Sequence, residues 1–182
     1  MLTAKPDFQS TFPRRNRTVL ANEVPIGEVT LTGWGTGVTV LRGQHYFTTT
    51  APAVGPVVPN YPTPRHYTMY SDIAPIHSAL EDPSRIYCIE SSSPDRNLPI
   101  IFRQTNTWKQ RLFEPWPRYG VFRSSDGASC GTIIWRSPRV WQSAFGDLVA
   151  LTLLPEIGET LQFFLLWLFV DRAQWGRDED AG

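Results

Sequence analysis

Seven basic residues and four tryptophans interleave between positions 103 and 141 of this 182-residue chain. The basic residues are Arg103, Lys109, Arg111, Arg118, Arg123, Arg136 and Arg139. The aromatic ones are Trp108, Trp116, Trp135 and Trp141. Arginine presents paired donors to a phosphate or carboxylate, and an indole suits a membrane interface or stacks on a ring. On adjacent antiparallel strands Arg118, Arg123 and Arg136 would converge near the strand ends. Arg103, Arg118, Arg123, Arg136 and Arg139 are therefore the candidate contacts to an anion or lipid headgroup. The four tryptophans are their aromatic support. The same residues also suit a structural role, with the indoles filling a core and arginine stems covering them.

Other chemistry finds little footing. His45, His66 and His77 form no HxH, HxxxH or HExxH spacing, so neither a metal site nor a cofactor is expected. No G-x-S-x-G occurs, and a Ser-His-Asp triad assembled on paper from scattered serines means nothing. Cys88 and Cys130 form no CxxC and read as buried free thiols, with a Cys88–Cys130 bridge as the alternative. Cys130 on a turn is the weaker candidate for a nucleophile. Nothing gives positive evidence of catalysis, and the chain reads more readily as a binding domain than as an enzyme.

Charge sharpens the picture. Formal net charge is zero, which argues against general nucleic-acid binding. The zero hides opposed blocks. Residues 99–140 hold the seven basic residues against Glu114 and Asp126, a net +5, whereas residues 141–182 hold two arginines against seven acids, a net −5. These blocks either attract each other in the fold or are solvated, or the basic one forms an anion-binding face. Fifteen of the seventeen basic residues are Arg. That bias suits two-point anion clamps, and it also follows from a GC-rich genome.

The elements that must position these residues are strands. Sixteen prolines and thirteen glycines exclude a helix bundle, while 41% hydrophobic and 13% aromatic content exclude disorder. Alternation predicts strands at 28–32, 38–42, 45–50, 66–72, 85–90, 99–103, 118–123, 131–136 and 147–154. Residues 1–20 read as a flexible arm, and 21–65 as an extra hairpin with a Pro-rich connector. Residues 66–177 read as the main domain and 178–182 as an acidic tail. Leu161–Val170 is apolar on every face of a helix predicted over 160–172, with Thr160 as N-cap. Ten residues rise about 15 Å, half a bilayer core, so the run does not span a membrane and belongs in a protein interior. Short strands followed by an all-round apolar helix predict a mainly β fold. It would be an antiparallel barrel or sandwich around a buried C-terminal helix. No apolar leader opens the chain, so the cytoplasm is the default compartment.

Three stretches carry a family likeness. They are the hairpin from Arg85–Glu90 to Phe102–Arg103, the turn Ser124-Ser125-Asp126-Gly127 followed by Ile134-Trp135-Arg136, and Leu161–Val170 with Asp171-Arg172. Together they resemble the tubby C-terminal-like superfamily, which includes phospholipid scramblases. The likeness covers residues 66–177. It implies an antiparallel barrel closed around the terminal helix, and contact between the basic block and anionic lipid headgroups. The expected function is thus a non-enzymatic domain that binds anionic phospholipid or a protein partner through its Arg/Trp face. Two alternatives stand beside it: a barrel carrier or enzyme with an interior cavity, and a peripheral membrane protein anchored by 161–170.

Overall fold

A computed structural model describes residues 2–6, 15–32, 36–52, 65–82, 86–92, 99–107, 110, 118–136, 148–153 and 157–179. Twelve strands form one closed antiparallel barrel in which each strand pairs with its chain neighbours, and β1 closes the ring against β12. The strands are β1 (Leu2–Pro6), β2 (Arg15–Ala21), β3 (Val24–Thr32), β4 (Thr36–Leu41), β5 (Gln44–Pro52) and β6 (Arg65–Ser71). They continue as β7 (Ala74–Glu81), β8 (Ile86–Ser91), β9 (Ile100–Gln104), β10 (Arg118–Arg123), β11 (Ser129–Arg136) and β12 (Leu148–Leu153). The C-terminal helix, α1 (Glu159–Glu179), follows. The expected class therefore holds, and α1 is the buried apolar element.

Prolines fit because they sit where ladder hydrogen bonds are already interrupted. Pro25 and Pro75 face the bulges at Val19/Leu20 and Met69/Tyr70. Tight turns join alternate strand pairs at one end of the barrel. Asn22 and Glu23 (φ 48° and 70°), and Arg42 and Gly43 (φ 49° and 83°), take the left-handed conformations of primed hairpin turns. β12 finishes, and α1 enters, at this same end.

The helix runs inside the ring. Leu161 and every residue from Phe163 to Asp171 are buried, a stretch of roughly 16 Å. No sheet face could bury such a segment on all sides, but a closed barrel can. It leans on β3 and β4 because two glycines make room. A Cβ at Gly27 would stand 2.9 Å from the Phe163 ring. A Cβ at Gly37 would overlap the Trp167 indole nitrogen and stand 2.8 Å from the Thr30 carbonyl oxygen.

Several expectations need correction. Residues 1–20 are not simply an arm, since β1 and β2 belong to the ring; Leu2, Thr3 and Ala4 pair with Leu151, Ala150 and Val149. Likewise, 21–65 is not an extra hairpin. β3, β4 and β5 are barrel strands, and without them β6 would be an open edge. The helix extends to Glu179, taking in residues assigned to the tail. Thr160 is not its cap: the helix begins at Glu159, and the Gln162 N–H donates to the Gly158 carbonyl at 3.0 Å. Both cysteines are free, yet only Cys130 is buried and Cys88 is exposed. The Pro-rich stretch 53–64 lies outside the described residues.

β2–β4 and β6–β8 repeat each other at a spacing of 50 residues, with the bulges in register. Arg15/Arg65, Thr18/Thr68, Pro25/Pro75 and Ile26/Ile76 are identical pairs. Their inward-facing side chains differ. Gly27, Gly37 and Thr39 in the first correspond to His77, Tyr87 and Ile89 in the second.

Candidate functional site

Register sorts the predicted arginines. Arg103 on β9 pairs with Gly120 on β10, and Arg118 on β10 pairs with Ile134 on β11. Arg136 lies two positions beyond Ile134 on the same strand. Alternation puts these three positions on one outer face, each diagonal step about 7–8 Å. They run across three neighbouring strands toward the barrel end opposite the helix entry.

Arg103 is exposed and its guanidinium carbon lies 4.8 Å over the Phe122 ring. Gly120 makes this possible. A Cβ there would meet the Phe122 ring at 2.6 Å and Thr105 Cγ2 at 2.8 Å, so the ring folds across the bare glycine. A cation held over a ring keeps its outward N–H groups for other acceptors. Arg118 is exposed as well, and its backbone is tied down. Its N–H donates to Asn106 Oδ1 at 3.0 Å, and its carbonyl accepts from the Thr105 N–H at 2.7 Å. Asn106 Oδ1 also accepts from Gln104 Nε2 at 3.0 Å. The chain leaving β9 is thereby pinned beside the start of β10.

Arg123 does not join them. It is the last residue of β10, about 17 Å along the strand from Arg118. There its guanidinium donates to Asp126 Oδ2 at 3.0 Å. Asp126 also accepts from the Ala128 N–H at 3.0 Å. That backbone bond, with the Arg123 charge, holds the carboxyl below its ordinary pKa. Arg123 is a turn residue and stands apart from the Arg103, Arg118 and Arg136 positions on the outer face. Trp135 pairs with Val149 along the backbone. Arg139, Trp108, Trp116 and Trp141 lie outside the described residues.

Polar groups in the lumen were not foreseen. Glu81, 6% exposed, accepts from the Tyr67 hydroxyl at 3.4 Å and the Tyr87 hydroxyl at 3.3 Å. His77 shares a 3.0 Å hydrogen bond with Thr160 Oγ1 and stacks on Phe164 at 5.8 Å. Burial pushes its pKa down to about 4, so it is neutral at ordinary pH. With Ala79, His77 and Glu81 occupy the buried alternate positions of β7, whose other residues are exposed or half-buried, and no apolar alternation in the sequence marks that face. Among the described residues, no group of three or more His, Cys, Asp or Glu side chains could hold a metal ion. Nor is any described helix long and apolar enough to cross a membrane.

The chain matches no family model, no curated protein and no solved structure.

Proposed function

We propose that this is a non-enzymatic binding domain that engages anionic headgroups through the Arg103–Arg118–Arg136 diagonal. The observation that carries the reading is the register that aligns three arginine positions on one outer face. Arg103, braced over Phe122, needs less ordering on binding, and Arg118 projects from a backbone tied to Asn106 and Thr105. A phospholipid surface as the source of the anions rests on the sequence likeness of residues 66–177 to tubby-like proteins. Burial of Leu161 and Phe163–Val170 within the barrel weighs against the reading of 161–170 as an anchor.

Vesicle co-flotation tests the proposal. Binding to vesicles containing phosphatidylserine or phosphoinositide, weakening as salt rises, is expected. Each arginine near such a surface contributes about 1 kcal/mol, so Arg103→Gln with Arg118→Gln weakens binding roughly thirty-fold. Absence of binding at low salt, where screening is least, overturns the reading.

A further inference from the structure

We infer that the inner wall formed by β4 and β5 binds water beside Trp167. Among the described residues, four buried polar atoms along this wall have no protein hydrogen-bond partner: the hydroxyls of Thr39, Thr48 and Thr50, and the Trp167 indole Nε1. Thr39 is 0% exposed, Thr48 1% and Trp167 0%. Register places Thr48 beside the indole, with Thr39 and Thr50 flanking it along the wall. Gly37 pairs with Thr48, and the indole nitrogen fills the space where a Gly37 side chain would be. Thr39 is two residues from Gly37 on the same face of β4, and Thr50 two residues from Thr48 on the same face of β5.

The chemistry of these groups selects the guest. An indole N–H only donates, whereas a threonine hydroxyl both donates and accepts. Each is costly to leave unpaired in a dry interior. A water beside Trp167 accepts from the indole and exchanges a hydrogen bond with the Thr48 hydroxyl, within the two to four partners a buried water usually has. Threonine is otherwise a poor choice for a lumen: the position equivalent to Thr39 in the second repeat is Ile89. The seam continues along β5 to half-buried Thr50, which pairs with Tyr67, the hydroxyl donor to Glu81. The row of hydroxyls thus runs along β5 from half-buried Thr50 to the side of the helix.

The test uses the full chain labelled with ¹⁵N. Trp167→Phe assigns the indole proton of Trp167. A cross-peak between that proton and water is expected, together with its loss and a lower melting temperature in Thr48→Val, which keeps the shape and removes the hydroxyl. Thr48→Ser, which keeps the hydroxyl, retains the cross-peak. Absence of the cross-peak in the unaltered protein overturns the inference. So does a higher melting temperature in Thr48→Val, because removing a hydroxyl stabilises only when that hydroxyl was dry.

Discussion

β2–β4 and β6–β8 have matching strand boundaries and matching bulges, yet they line the lumen with opposite kinds of side chain. The first presents Gly27, Val29, Gly37 and Thr39; the second presents His77, Ala79, Tyr87 and Ile89. Because the second wall is thick, the helix moves toward the thin one, and Phe163 and Trp167 fill the space over the two glycines. One backbone plan therefore serves two tasks. The thick half supplies aromatic packing, with Tyr67 and Tyr87 at 5.8 Å and Tyr67 and Trp167 at 5.9 Å. The thin half supplies clearance. An off-centre helix inside a regular ring follows from side-chain volume alone.

The largest expected effect comes from thinning the thick wall. Tyr87→Ala removes a fully buried ring that packs on Tyr67 and Phe102 and donates to Glu81. Cavity formation at such a position costs about 3–5 kcal/mol in chemical denaturation. A loss below about 1 kcal/mol would mean that the two walls are interchangeable and the helix is free to recentre.

Acid acts on the same wall next. His77 is neutral in the fold with a pKa near 4, against 6.5 when unfolded. The unfolded chain binds the proton first, so stability is complete above about pH 6.5 and declines as pH falls toward 4. The loss is about 2 kcal/mol by pH 5 and about 3 kcal/mol by pH 4. The Glu159 and Asp126 carboxyls, held below their ordinary pKa by Arg42 and by the Ala128 N–H, stay ionised between pH 7 and 5 and add no slope there. Denaturation of His77→Gln between pH 7 and 5 should therefore be nearly flat where the unaltered protein slopes. The first repeat carries Gly27 at this position and adds no such slope.

Thickening the thin wall has a smaller effect. Gly37→Ala forces a methyl against the Trp167 indole and the Thr30 carbonyl. Overpacking of this kind costs about 1–3 kcal/mol. If Gly37→Ala were neutral, the helix would not be seated by glycine clearance, and the contrast between the repeats would lose its meaning.

Much of this fold could be read in advance, and the unread parts have physical causes. Alternation of apolar and polar residues marked β3–β6, β8–β12 and the apolar helix, because each buries one side or all of itself. β1 and β2 were hidden by clustered arginines and by Pro6, which lies beyond the three residues of β1 that pair with β12. β7 was hidden because His77 and Glu81 point into the lumen, so its inward face does not look apolar. The repeat was visible in the fifty-residue spacing of Pro25 and Pro75, but identical residues are few and the lumen volumes differ. For the arginine site, sequence identified the residue types. It could not determine that a six-residue strand separates Arg118 from Arg123, or that bare Gly120 lets Phe122 support Arg103. Those depend on register, which composition does not encode.

The smallest expected effect lies where the thin half meets the helix entry. Arg42, in the turn between β4 and β5, forms a two-point ion pair with Glu159 at 2.8 and 2.9 Å. The geometry is good and the pairing lowers the Glu159 pKa, yet both side chains are largely exposed, at 63% and 44%. Solvent screens such a pair, so Arg42→Ala should barely move the melting temperature, and the small difference should vanish in high salt. A large, salt-independent drop would show that the turn, and not the glycine clearance, holds the helix against β3 and β4. The asymmetry between the repeats would then originate at the barrel's rim instead of in its lumen.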